Sequence, residues 1–259
     1  MSPSASTQDL AVHLTALPDR EVAALLVARP DLAAPPSSSF LALATRAGAP
    51  GSIEHALAGL DAPTLAVAEA VVALSGPTES EETEGGGGTR TAEGDGSDGN
   101  VQSKGEPADP ADAGLTGLVA THLPLSTEQV AEALGQLHRL ALVVEGRPVA
   151  ALEAAFGPHP FGLGPWAAEP LSAEQLPPTL EELSEDVTGE PVVPAASVEM
   201  LQALTWGPPA GTLRSGGRAP GAAPLIERGW LERSSDARGR TRFILPRQVA
   251  LALRGGRLT

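Results

Sequence analysis

The chain has 259 residues, 42% of them hydrophobic, enough for one to three small domains with cores of their own, and it carries a formal net charge of −15. Aromatic residues make up 3% and tyrosine is missing, so the cores must be assembled from Ala, Leu and Val, a bias toward helix over sheet. The lack of cysteine excludes disulfides, thiolate metal sites and cysteine nucleophiles. No apolar run reaches the roughly 18 residues that cross a bilayer, and MSPSASTQDL has neither the basic nor the apolar region of a secretion signal. A cytoplasmic protein without a membrane partner is expected, at the nucleoid if it meets DNA.

In chain order, short helices come first, at about 7–16, 38–47, 52–59 and 62–75. LPDREVAALLVARPDL adds another, with Pro18 opening it, Asp19 and Glu21 in the first turn, and Val22, Leu25 and Leu26 on one face. In the helix at 62–75, Leu65, Ala68, Val72 and Leu74 are expected to face inward. Residues 76–112 then carry ten acidic residues against two basic ones and almost nothing to bury, the composition of a disordered acidic insertion. Its GGGGT has no Gly-Lys-Ser/Thr sequel and no preceding strand, so a linker is a better reading than a phosphate loop.

Beyond it, helix 113–122 is followed by LSTEQVAEALGQLHRLALVVEG. Here Ser126 and Gln129 have capping-box spacing, Val130, Ala133, Leu134 and Leu137 form one stripe, and a strand follows at 140–144. That order, over 61–156, suggests a winged-helix-like unit interrupted by the insertion. The outward positions of its third helix are Glu128, Gln129, Glu132, Gln136 and Arg139, a poor surface for phosphate, so this unit is expected to be structural or to bind a protein.

Residues 157–194 are punctuated by proline and read as a connector with one short helix in TLEELSED. The second winged-helix-like unit, 195–259, is expected to hold helix 195–205, the turn WGPPAG, a short helix in APLIERG, strands 230–233 and 240–245, and a closing helix at 246–254. Charge is segregated along the chain, because residues 207–259 carry ten basic and three acidic residues. Alternation along the last strand puts Phe243 and Leu245 toward the core and Arg240 and Arg242 outward. Together with Arg233, Arg238 and Arg247 these are the candidate nucleic-acid-binding residues, since guanidinium keeps its charge and grips phosphate oxygens in a fork. The same pattern also fits a plain solvated strand in an arginine-rich chain whose only lysine is Lys104, and both readings stand open at this point.

No other constellation carries chemistry. His13, His55, His122, His138 and His159 have no ligand spacing, EELSED lacks the glycine and spacing of a calcium loop, Ser52 is accounted for as a helix N-cap, and Trp206 and Trp230 border apolar runs as core anchors would. Without a Gly-Lys-Ser/Thr loop or an Asp-Glu box after a strand there is no ATP motor, no cofactor is called for, and a non-enzymatic chain is expected.

The stretches SIEHALAGLDAPTLAVAEAVVAL, LHRLALVVEG, AALEAAFGPHPFGLGP, LTWGPPAG and ILPRQVALALRGGRL resemble the N-terminal half of actinobacterial helicase-associated proteins, related to the N-terminal domain of XPB-type helicases. The resemblance covers nearly the whole chain except the acidic insertion. It implies a DNA-associated, winged-helix-bearing protein; with the residue patterns above, the expected chain is mainly α with short β-hairpins, a helical block over 1–60 and two winged-helix-like units. The partners expected are duplex DNA at the C-terminal basic wing and a helicase or other protein at the acidic N-terminal part. The alternative is a protein-interaction or scaffold module that does not touch DNA.

Overall fold

A computed structural model describes residues 4–76, 110–184, 192–213, 219–235 and 239–259. Helices dominate, accompanied by two small antiparallel sheets. Helix α1 (Thr7–Ala16) starts at a capping box in which the Asp9 amide donates to Ser6 Oγ at 3.2 Å and the Ser6 amide to Asp9 Oδ2 at 2.9 Å. Helix α2 (Asp19–Ala28) has Pro18 as its N-cap and buries Leu25, while Val22 and Leu26 are half-buried. Helix α3 (Phe40–Ala47) is capped by Ser39, whose Oγ accepts the Ala42 amide, and packs along α1. Helix α4 (Pro50–Ala58) begins three residues earlier than a Ser52 N-cap would place it. Its N-cap is Ala49, and Ser52 sits inside the first turn, where its hydroxyl bonds to Arg29 and Asp31 instead of capping.

Helix α5 (Ala62–Leu74) is the centre of the molecule. Its Asp61 cap accepts the Thr64 amide at 2.9 Å, and Val67, Ala68 and the whole run Ala70 to Leu74 are buried. Leu65, expected inside, is exposed. A helix that is apolar on almost every side is surrounded by neighbours, so a single inward stripe is the wrong description for it. Around it stand α6 (Pro110–His122), α7 (Thr127–Arg139) and α8 (Ala150–Phe156). Of the acidic stretch 76–112, residues 77–109 lie outside the described residues, and its end is already helix α6. The α7 capping box is present, with Gln129 donating to Ser126 Oγ at 3.2 Å, and its stripe Val130, Ala133, Leu134 and Leu137 is buried.

The expected strand at 140–144 shrinks to β1 (Val143–Val144), paired with β2 (Arg147–Pro148). Glu145 and Gly146 between them both have positive φ, 50° and 71°, the requirement of the two-residue turn whose twist matches the strands. Ala5 bridges to this hairpin, its amide donating to the Pro148 carbonyl at 2.8 Å.

The connector includes α9 (Leu180–Ser184) and leads to α10 (Ala195–Thr205). Next come β3 (Ala210–Thr212), α11 (Ala222–Glu227), β4 (Glu232–Ser235), β5 (Thr241–Ile244) and α12 (Arg247–Leu253), with the three strands ordered β3-β5-β4. The turn expected in WGPPAG therefore runs into a third strand.

One contiguous hydrophobic cluster runs from Leu10 through α5 to Leu258. The C-terminal part is bound to α5 and α6 by specific links. Trp166 Nε1 donates to the Ser75 carbonyl at 2.7 Å, and the Leu258 amide to the His122 carbonyl at 3.0 Å. Gly164 lies so close to the Leu245 carbonyl that a Cβ there would collide with its oxygen.

Candidate nucleic-acid interface

The three-stranded sheet sets the geometry of the arginines. Residues directly opposite one another in an antiparallel pair share a face. On β5, Phe243 and Leu245 are buried, as alternation suggests. The register pairs Arg242 with Thr212 on one side and Ser234 on the other, so a hydroxyl, a guanidinium and a second hydroxyl form a row across all three strands on the face away from Phe243. The next row toward the base of the sheet is Ala210, Ile244 and Glu232. Glu232 Oε1 accepts the Ala168 amide at 2.9 Å, which tethers this carboxylate to the connector. Arg240 is exposed two residues before Arg242, and Arg242 is half-buried.

The remaining candidates diverge. Arg233 is exposed, but it pairs with Phe243 and so projects from the opposite face, at the edge strand β4. Arg238 lies outside the described residues. Arg247 is not on the surface at all. It is 8% exposed, its Nε donates to the Gly164 carbonyl at 2.9 Å and its Nη1 to the Ala73 carbonyl at 2.9 Å, and its guanidinium lies 5.5 Å from the centre of the Trp166 ring. An arginine at the first position of α12 thus ties the C-terminal unit to α5. Burial pulls its pKa below the ordinary arginine value, with Glu153 acting against that.

Arg254 is a second case. It is 4% exposed, donates twice to the Thr205 carbonyl at 3.0 and 2.6 Å, and reaches the Phe161 and Leu258 carbonyls. Arg29, 1% exposed, is a third. It donates to the Leu140 and Ala47 carbonyls, both at 3.1 Å, and stands 3.7 Å from Asp31. Trp230 is a core anchor, but Trp206 is 54% exposed and corrects that expectation.

What the sheet brings together, then, is Arg240 and Arg242 with Thr212 and Ser234. Neither hydroxyl is identifiable before the register is known, because β3 lies in a Pro- and Gly-rich stretch with no strand signal. A guanidinium between two hydroxyls offers several donors over one surface, a donor set suited to phosphate oxygens. Among the described residues no group of three His, Asp or Glu side chains is placed to hold a metal ion, and no helix is long and apolar enough to cross a membrane. No family model, curated protein or solved structure matches this chain.

Proposed function

We propose that this chain is a non-enzymatic, DNA-associated module, an accessory or regulatory part of a helicase-related system, which meets duplex DNA through the outward face of its C-terminal sheet. The observation that carries the reading is the Thr212–Arg242–Ser234 row with Arg240 beside it, on the side of the sheet opposite the core. The order of α10, β3, α11, β4 and β5 supports a winged-helix reading of this unit, with β4 and β5 as the wing, and α5, α6, α7 and the β1–β2 hairpin fit a second one. The resemblance to helicase-associated proteins agrees with both. Contacts of this kind go to the backbone and carry no base information, so binding is insensitive to sequence and steep in salt.

The test is duplex binding as a function of salt. Arg240→Gln with Arg242→Gln should weaken binding to unrelated duplexes alike and make log K against log salt less steep by about 2, at roughly 0.9 per neutralised phosphate. Arg233→Gln should change the slope little, because that side chain leaves the sheet on the other face. Wild-type protein that ignores duplex DNA at low salt sinks the proposal, and so does an unchanged slope in the double variant. Non-enzymatic action is checked in parallel, as a DNA-stimulated ATPase rate no higher than that of a mock purification.

A second reading, protein interaction, has its own observation. Val12 and Leu41 are exposed and line a groove with Ala11 and Thr15, where α1 meets α3 and no charged side chain contributes. If Val12→Ser with Leu41→Ser abolishes capture of a partner while the arginine variants do not, the scaffold role describes the N-terminal block better.

A further inference from the structure

A cavity of about 630 Å³ opens between α1, α2 and α7, a volume usual for small-molecule sites. Helical spacing turns one face of each long wall toward it: Glu21, Ala24 and Ala28 from α2, Gln136 and Leu140 from α7. The two alanines present only methyl groups, which leaves the room, and Leu25, 2% exposed, supplies an apolar floor. The α7 wall is fixed in advance. Ala141 ends the helix in the left-handed region, φ 53°, with the Leu142 amide donating to the Leu137 carbonyl at 3.0 Å, and the Leu140 carbonyl is held by Arg29 at 3.1 Å.

His13 brings the cavity its polar end. The ring is half-buried, makes no hydrogen bond to any described residue, and neither of its nitrogens is sealed from solvent. The charges that act on it, those of Glu145 and Glu21, are both negative, yet burial outweighs them and keeps its pKa below the ordinary 6.5. At neutral pH the ring is therefore uncharged and offers a lone pair, and the negative potential around it has no cation inside the cavity to answer it. Each glutamate does have an arginine neighbour, Arg20 at 3.5 Å from Glu21 and Arg147 at 3.2 Å from Glu145, but neither arginine lines the cavity. Arg139 does line it, with His138 beside it in sequence. Its side chain is drawn back along α7, however, with Nη1 3.5 Å from where a Cβ on Gly135 would lie, and Gly135 is not part of the wall. The negative end of the α7 dipole, which closes this wall, adds to the same field. A carboxylate would meet that field head on, and a neutral apolar molecule would leave it unanswered. A bare metal ion would find no group of three His, Asp or Glu ligands among the described residues.

We propose that this cavity binds a small organic cation, a primary amine on an apolar body, with the ammonium between Glu21 and the lone pair of His13 and the body over Leu25 and Leu140. The site stands apart from the C-terminal sheet and does not rest on the DNA reading. Ammonium and proton compete there, so binding weakens as pH falls and His13 takes up its own proton.

The full chain is titrated with phenethylamine, phenethyl alcohol and hydrocinnamate while the histidine ring signals are followed by proton NMR, with His13→Gln assigning the signal of His13. The amine should shift that signal saturably and lower the pH midpoint at which the ring titrates, because a bound ammonium opposes a second positive charge. The alcohol should bind about 10-fold more weakly, and Glu21→Gln should weaken the amine by about the same factor, the loss of one charge-assisted hydrogen bond. Hydrocinnamate should leave the signal unmoved. A chain of net charge −15 attracts any amine loosely, so two further variants locate the binding. Glu54→Gln removes an exposed carboxylate outside the cavity and should change nothing, whereas Ala28→Phe fills the cavity at constant charge and should abolish the shift. The proposal is overturned if the alcohol or the acid binds as tightly as the amine, if Glu54→Gln costs as much as Glu21→Gln, or if the amine leaves His13 unmoved at the limit of its solubility. It is overturned equally if Glu21→Gln or Ala28→Phe, folded by circular dichroism, holds the amine as tightly as the wild type. Should Ala28→Phe fail to fold, Ala24→Leu narrows the same space, and unchanged amine affinity in that variant overturns the site.

Discussion

At the scale of single residues, the arginines divide into those that face solvent and three that hold the fold together. Arg29, Arg247 and Arg254 each place a guanidinium among backbone carbonyls from distant parts of the chain. Replacing Arg247 by Leu would orphan the Gly164 and Ala73 carbonyls, at about 1–3 kcal/mol for each buried acceptor left unsatisfied. We expect the urea midpoint of Arg247→Leu to fall by the equivalent of about 2–6 kcal/mol with the slope unchanged. Arg233→Leu, on the exposed edge, should stay within about 0.5 kcal/mol. None of this was legible in the sequence, where a guanidinium reads as surface unless its acceptors are known, and those of Arg247 lie more than 80 residues away. His13 is another residue whose environment decides its behaviour. Burial lowers its pKa below the ordinary 6.5, against the opposing pull of Glu145 and Glu21. The unfolded chain therefore binds the proton more readily than the native one. The associated stability is whole above about pH 6.5 and drains away as pH falls through the lower native value. Thermal melts of wild type and His13→Gln should converge as the pH drops below that point; parallel curves would mean that His13 contributes nothing.

At the scale of elements, local signals worked where the chemistry is local. The Ser126–Gln129 box marks the start of α7 because both bonds close within one turn, and its buried stripe follows from helical periodicity. Ser126→Ala should cost about 1 kcal/mol, read as a shift of the unfolding midpoint. Alternation along β5 likewise placed Phe243 and Leu245 inside. The third strand was not legible, since Ala210–Thr212 becomes a strand only by pairing with β5, and its own residues signal a turn. That pairing supplies Thr212, one of the two hydroxyls of the candidate interface. Trp206 shows the same limit in reverse: bordering an apolar run, it reads as a core anchor, yet it is 54% exposed, with the Arg254 guanidinium 4.6 Å from the centre of its ring. Close approach matters again at Gly221, where a Cβ would run into the backbone of Ala196 and Ser197. Gly221→Ala should push α10 from the start of α11 and cost about 1–3 kcal/mol, a typical penalty for overpacking, measured by denaturant titration.

At the scale of the molecule, the sequence reads as an N-terminal helical block, two units and a connector, while the buried core is contiguous. Arg247 reaches α5, Trp166 binds the end of α5, and Leu258 is tied to α6. A chain laced in this way should unfold in one transition, with far-UV circular dichroism and tryptophan emission coincident; two resolved transitions would mean that the cross-links carry little energy. The segregated charge has its own consequence for the proposed function, since the −15 of the whole chain opposes the local field of the basic sheet: if the sheet meets DNA as proposed, association should be slow at low salt relative to a uniformly basic protein. The buried guanidiniums, finally, turn trypsin into a gauge of the fold. The protease needs an extended, accessible arginine, so Arg233, Arg240 and Arg257 are available to it in the native protein, whereas the bonds after Arg29, Arg247 and Arg254 are shielded until the shared core opens. Peptides ending at those three positions should accumulate at the rate of global opening, slowed by every change that stabilises the protein, while cleavage at the exposed arginines proceeds without regard to it.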